Sequence, residues 1–212
     1  VAKRLTKDSI ILASELDDSA VKTGTEIAKI GNFTNVQFIQ RDLRALRLGE
    51  KFDQVLAIDV LEHIDDDLSA LKEINGVLKS DGMLIISVPT PLYPKYFGRE
   101  FADRIGHVRD GYFLEDITRK LDSTGFRVLK HKYYTRRWAS LFCSFFYKTR
   151  IPTPKIRYIG PIIAISYFYL KLALFPFMKW LAIFLDKFSR DAPSTSLSVL
   201  SQKVRNLDDF SQ

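Results

Sequence analysis

Through its first 130 residues the chain alternates apolar runs of strand length with stretches of helical period. A helix-length piece between successive strands excludes hairpin pairing, so the strands must run parallel with helices packed on the sheet. Ser9–Glu15 is the first apolar run, followed by a helical stretch from Ser19 to Ile30. The turn-forming Gly31-Asn32 and Asn35 introduce a second strand, Asn35–Gln40. A third strand, Gln54–Ile58, contains an unbroken Val-Leu-Ala-Ile and is expected to be covered on both faces. Leu68, Leu71, Ile74 and Leu78 recur at three-and-four spacing, which predicts a helix over 66–79 ended by Asp81-Gly82. Met83–Val88 reads as a fourth strand, stopped by Pro89 and Pro91, and Thr90–Gly111 as a long loop rich in Pro, Gly and Tyr. A helix over Leu114–Ser123 with Gly125 as its stop, a fifth strand Arg127–Tyr134 and an alternating last strand Ser196–Val204 complete the reading.

In an open parallel sheet, ligands bind outside the carboxyl ends of the strands, so polar residues just after strands are the candidate site. Glu15, Asp42 and Asp59 hold such positions after three successive strands. A carboxylate there can accept both hydroxyls of a ribose or the exocyclic amine of an adenine. Turn capping is the competing role for Glu15 and Asp42. Asp17 and Asp18 read as a helix N-cap and a first-turn acid.

The run FDQVLAIDVLEHIDDDLSALKEINGVLKSDGMLIISVPTP closely resembles a signature of the class I S-adenosylmethionine-dependent methyltransferases: a strand ending in Asp, then Val-Leu-Glu-His, a helix, Leu-Lys-x-x-Gly and a strand ending near Pro. ILASELDDSAV and NVQFIQRDL resemble that family's second and third strands. The likeness covers roughly residues 1–134 and the last strand. It implies S-adenosyl-L-methionine as cofactor, with Glu15 and the adjoining Leu16 at the ribose hydroxyls. Asp42 and the backbone of Leu43 would lie beside the adenine, and Asp59 and Val60 near the methionine end. The implied fold is an α/β, Rossmann-like methyltransferase sheet, mostly parallel with the last strand antiparallel. Its first strand is missing, and an apolar helical insertion precedes the last strand. The family's glycine-rich turn is absent, since no two of the ten glycines are spaced as GxG. The chain opens on Val1 rather than Met, and Val1–Leu5 reads as the end of the helix that should follow that turn. The first strand and its loop are therefore expected upstream, where they would complete the cofactor pocket.

Methyl transfer from a sulfonium needs in-line positioning and desolvation, with a general base when the acceptor is a hydroxyl. His63, in the Leu-Glu-His turn, and His107, in GHVRDGY, are the catalytic candidates, each with a loop-stabilising alternative. Tyr93, Tyr96 and Tyr112 are candidates for positioning the acceptor. Arg109 either meets an anionic acceptor or pairs with Asp110 or Asp116. His131 falls within a strand and is given no role. No metal-ligating set is assigned.

Charge divides the chain sharply. From Lys130 to Arg190 twelve Lys/Arg face a single acid, Asp186, while the remainder is mildly acidic. Sixteen of the twenty-seven aromatics fall between Tyr133 and Phe188. A basic, aromatic, apolar stretch suits a membrane surface or a lipid-like anion, and is too greasy for a nucleic-acid face. With the resemblance, this division implies residues 1–135 as a methyltransferase core incomplete at its N-terminus, 136–192 as an apolar basic helical insertion, and 193–212 as the last core strand and tail. Pro161 and Pro176 predict that the insertion breaks near the second proline into a hairpin or in-plane helices. If the two strands flanking it pair, a single membrane crossing is impossible. Self-burial as a helical cap, or a dimer interface, is the competing reading. Cys143, the sole cysteine, is expected to be a buried thiol among Phe142, Phe145 and Phe146, in a reducing compartment.

The expected function is methyl transfer from S-adenosylmethionine to a small or lipid-like acceptor, at oxygen in the first instance. The enzyme is expected to be cytoplasmic and peripheral on the membrane. Competing readings are a nicotinamide dehydrogenase on a similar sheet and a non-catalytic, membrane-associated interaction module.

Overall fold

The first two helices begin where the sequence supplies an acceptor for their first free N–H groups. A computed structural model describes residues 9–135, 137–148, 160–188 and 194–205; Val1–Leu5 lies outside the described residues. Strand β1 (Ile11–Glu15) leads into α1 (Asp18–Ile30), which starts where the Asp17 carboxylate accepts from the Ser19 N–H at 2.9 Å. Asp18 in its first turn pairs with Lys22 at 2.6 Å. Strand β2 (Val36–Gln40) then pairs parallel to β1, with Glu15 opposite Gln40. The second crossover repeats the device: β3 (Phe52–Ile58), the Asp66 carboxylate accepting from the Ser69 N–H at 3.0 Å, and α2 (Asp67–Val77).

Helix α2 ends four residues before the expected Asp81-Gly82 stop, and the chain enters β4 (Leu78–Pro89) directly. Leu78 is buried and pairs with Phe52, with a register shift before Gln54 meets Met83. The carbonyls of Asn75 and Leu78 are met by the buried ammonium of Lys203, at 2.8 and 3.0 Å. A cation from far along the chain thus adds to the local cap, in which the Leu78 N–H donates to the Asn75 and Ile74 carbonyls.

Strands β3 and β4 are parallel, and β6 (Ser196–Lys203) lies antiparallel between β4 and β5 (Phe126–Tyr134) in the order β3-β4-β6-β5. The pair β1-β2 forms a separate ladder among the described residues. The described residues therefore hold two sheets where the resemblance implies one with a further strand between β1 and β3. The core lies on one face of the larger sheet, where Leu84, Ile86, Val88, Leu197 and Val199 meet Leu71 and Ile74 of α2 and Ile117 and Leu121 of α5 (Leu114–Ser123). Covering of β3 on both faces is not what is observed. Ala57 is buried, but Leu56 and Ile58 are 46% and 53% exposed.

The 90–111 segment contains two short helices, α3 (Tyr93–Phe97) and α4 (Arg99–Arg104), rather than loop alone. The insertion forms α6 (Arg137–Lys148) and α7 (Gly160–Lys187). Contrary to the break expected near Pro176, α7 runs through it, packed on α6. Asp186, the lone acid of the basic window, accepts from the backbone N–H groups of Trp138 and Ala139 at 2.9 and 3.2 Å, capping α6. Cys143 lies on the exposed side of α6 rather than in the interior, because Phe142 and Ser144 take the buried positions.

Candidate active site

Strands β1 and β2, parallel to each other, and β3, parallel to β4, each lead into one of the acids singled out above. Glu15 closes β1, its backbone carbonyl accepting from the Arg41 N–H at 2.9 Å just beyond β2. Its carboxylate is exposed and has no partner among the described residues. Asp17 rather than Glu15 caps α1, which leaves the Glu15 carboxylate open to a ligand. Leu16 beside it is 65% exposed, an apolar surface at the same rim.

Asp42 is differently placed. Its carboxylate accepts from the Arg44 N–H at 2.9 Å and from the Arg44 guanidinium at 2.6 Å, capping a single 3-10 turn over Leu43–Ala45. The Arg44 side chain and N–H hold the carboxyl below the usual range. The capping alternative is therefore realised. A ligand amine at Asp42 would have to share the carboxylate with Arg44.

Arg44 also lies in the field of Asp65 and Asp66, just before α2. This places the end of β2 beside the chain leaving β3. A second tie is the Leu46 N–H, which donates to Glu73 of α2 at 2.9 Å.

Asp59 follows β3 with φ at 51°, left-handed backbone that Asp tolerates better than most residues. Its N–H donates to the Ser87 carbonyl at 2.9 Å, and its carboxylate lies 3.5 Å from the Ser87 hydroxyl, which also contacts the Tyr134 hydroxyl. Val60, half-buried, leads into the turn Leu61–His63. Ser87 and Tyr134 are rim residues that the sequence reading did not single out, since each is brought there only by pairing with a neighbouring strand.

His63 and His107, 44 positions apart in sequence, meet with ring centroids 4.9 Å apart. His63 Nδ1 lies 3.0 Å from the Gly106 carbonyl, tying the turn to the 90–111 segment. His107 packs its ring 5.3 Å from Tyr93. Glu62 is the residue the reading missed: it is 1% exposed, with one carboxylate oxygen 4.0 Å from His107 Nε2. Burial pushes its carboxyl up to about 7, the backbone opposes the shift, and Asp59 adds to it. Burial likewise lowers the His107 imidazole, with the neighbouring His63 acting in the same direction.

Arg109 and Tyr112 are both engaged by the Asp67 carboxylate of α2. Arg109 pairs with Asp67 and donates to the carbonyls of Ile64 and Asp65, rather than pairing with Asp110 or Asp116. Tyr112, 3% exposed, donates to Asp67 at 2.8 Å and approaches the Leu61 carbonyl at 3.1 Å. Both brace the turn that carries Glu62 and His63. Tyr96 offers its backbone carbonyl to the Ser144 hydroxyl of α6.

The insertion is rooted at this rim. The Thr90 N–H, one residue beyond β4, donates to the Thr195 carbonyl at 2.9 Å, and the Thr195 N–H donates to the Thr135 carbonyl at 3.2 Å. Both ends of the insertion therefore meet where β4 leaves the sheet. Among the described residues no helix is long and apolar enough to cross a membrane.

Residues 2–86 match a family profile described as a methyltransferase domain. That stretch holds Glu15, Asp42, Asp59 and His63 and stops before His107 and the insertion. The chain is 38% identical over 71 residues to the ubiquinone biosynthesis O-methyltransferase of Haemophilus ducreyi, a match covering 29% of this chain and 30% of that protein. The match thus spans about a third of the curated relative's length. Among solved structures, the [4+2]-cyclase SpnF superposes with TM-score 0.59 at 18% identity over 96% of this chain and 70% of its own. Phosphoethanolamine N-methyltransferase 2 of Haemonchus contortus, in complex with S-adenosyl-L-methionine, gives 0.57 at 16% identity over 92% of this chain and 43% of its own. At such identities the two structures speak for the fold alone. A cyclase among them shows how little chemistry the fold fixes.

Proposed function

We propose that this chain is a class I S-adenosylmethionine-dependent methyltransferase that transfers the cofactor's methyl group to an oxygen of a small or lipid-like acceptor. The observation that carries the reading is that Glu15, Asp42 and Asp59 each stand at or just beyond the carboxyl end of a parallel-paired strand, with Arg44 of the Asp42 turn in the field of Asp65 and Asp66 beyond β3. The open Glu15 carboxylate fits a ribose, whose two hydroxyls it would accept, with Leu16 alongside. Leu43 and the Arg44-bound Asp42 border the adenine, and Asp59 with Val60 borders the methionine end. When bound there, the cofactor supplies an electrophilic methyl on a sulfonium sulfur. The chain's own task is to aim an acceptor oxygen at that carbon, keep water out and help the hydroxyl shed its proton. His63 and His107, whose rings meet 4.9 Å apart, would take that proton. The O-methyltransferase named above favours oxygen as the methylated atom.

Isothermal titration of the full-length protein with S-adenosylmethionine, followed by transfer of a labelled methyl to small and lipid-like hydroxyl acceptors, tests the reading. One-to-one binding and label on oxygen are expected. Absence of cofactor binding by the folded protein would instead favour a non-catalytic interaction module.

The insertion deepens the reading toward a lipid-like acceptor presented at a membrane surface. Phe177 and Trp180 are 59% and 61% exposed on α7, in a window rich in Lys and Arg. Apolar side chains flanked by cations suit insertion among anionic headgroups, with the enzyme peripheral. Changing Phe177 and Trp180 together to Asp should abolish sedimentation with anionic liposomes and leave cofactor affinity unchanged. Undiminished sedimentation would overturn the membrane assignment.

A further inference from the structure

Glu62, His63 and His107 each offer a ligand atom, and the three atoms lie within 4.8 Å of one another. Two of the side chains are nearly sealed from solvent: those of Glu62 and His107 are 1% and 5% exposed. Each carries an unsatisfied atom, since Glu62 Oε2 and His107 Nδ1 have no hydrogen-bond partner. Buried polar atoms in native folds are almost always paired, so two orphans in one cluster call for a missing partner. The 4.0 Å between the other Glu62 oxygen and His107 Nε2 is too long for a direct hydrogen bond. It leaves room for one ion between them with a slight closing of the pair, because bonds of about 2.1 Å place neighbouring ligand atoms about 3–4 Å apart.

His63 supplies the complementary detail. With Nδ1 against the Gly106 carbonyl at 3.0 Å, the proton sits on Nδ1 and the Nε2 lone pair is free. A backbone carbonyl that fixes the tautomer in this way is the usual outer support of a ligating histidine. Arg109, Tyr112 and Asp67 hold the turn from behind. Asp59 adds negative charge that is felt at both Glu62 and His107.

We infer that Glu62, His63 and His107 form a binding site for a divalent first-row transition cation at the acceptor end of the rim. One carboxylate and two imidazoles suit Zn²⁺, Co²⁺ or Mn²⁺ better than the all-oxygen shells of Ca²⁺ or Mg²⁺. Three protein ligands leave at least one position open. If the methyl-transfer reading above holds, on which this clause alone rests, that position takes the acceptor's hydroxyl oxygen. The cation then acidifies the hydroxyl, whose proton leaves to solvent, and the histidines act through the metal rather than as bases.

Metal-free full-length protein titrated with Co²⁺ tests the site. A visible d–d absorption saturating at one ion per chain is expected, together with a rise in Tm on adding Zn²⁺. His63→Ala, His107→Ala and Glu62→Gln, each checked by circular dichroism, should weaken Co²⁺ binding at least tenfold. His131→Ala, outside the cluster, should bind as the unmodified protein does. An unchanged spectrum in the folded unmodified protein, or equal binding by the three variants, would overturn the assignment. Titrating S-adenosylmethionine on the same samples separates the two readings: Co²⁺ binding without cofactor binding keeps the metal site and removes the methyltransferase reading, and the reverse result does the opposite.

Discussion

Asp67 is 3% exposed and meets three donors: Tyr112 at 2.8 Å, Lys120 at 2.7 Å and the Arg109 guanidinium. Removing it would strand two cations, which typically costs about 3–5 kcal/mol for a buried group. Asp67→Ala is therefore expected to lower stability by several kcal/mol in urea denaturation. Tyr112→Phe should cost about 1 kcal/mol, the worth of one buried hydrogen bond, and leave acceptor KM unchanged. A raised KM at unaltered stability would return Tyr112 to the acceptor site. None of this network was legible in the sequence. Tyr112 and Arg109 were singled out for sitting in a polar loop near the motif, and only the fold shows that the buried carboxylate of α2 claims both. Glu15, by contrast, was legible, because a strand end can be read from alternating runs and Asp17 was visible as the better cap.

At the scale of elements, β3 and α5 follow from their apolar spacing, and α5 matches its expected bounds. The start of β4 does not, because it depends on Lys203, which reaches the end of α2 from the last strand. Helices α3 and α4, at five and six residues, are too short for period to speak. The chain returns from α4 through Gly111, whose φ is 129° and where an added Cβ would stand 2.3 Å from the Pro89 carbonyl oxygen. Gly111→Ala should therefore destabilise the fold by at least about 2 kcal/mol, from strain and clash together. Helix α7 poses the opposite case. Proline in a helix interior removes a hydrogen bond and costs about 3 kcal/mol, which made a break at Pro176 the natural expectation. Packing on α6, with the Phe142 and Phe175 rings 5.4 Å apart, carries the helix through. Pro176→Ala should then raise Tm. A lowered Tm would mean the proline is needed for the course of the chain.

Across the whole molecule, a mildly acidic sheet domain carries a basic, aromatic helical pair rooted where β4 ends. The asymmetry was visible as charge counts. Its position at the rim was not, since that depends on Thr135 and Thr195 meeting across sixty residues. Binding to anionic vesicles should weaken steeply between low and physiological salt, because screened surface cations lose most of their attraction beyond about 8 Å at that ionic strength. Salt-independent sedimentation would assign the attachment to apolar insertion alone.

The proposed cofactor site takes in Glu15, Asp42 and Asp59. A crystal structure of the full-length protein with S-adenosylhomocysteine tests it most directly. The ribose hydroxyls should lie within hydrogen-bonding distance of the Glu15 carboxylate, with the thioether sulfur toward Asp59. An adenosyl group seated anywhere other than the carboxyl ends of β1, β2 and β3 would contradict the account.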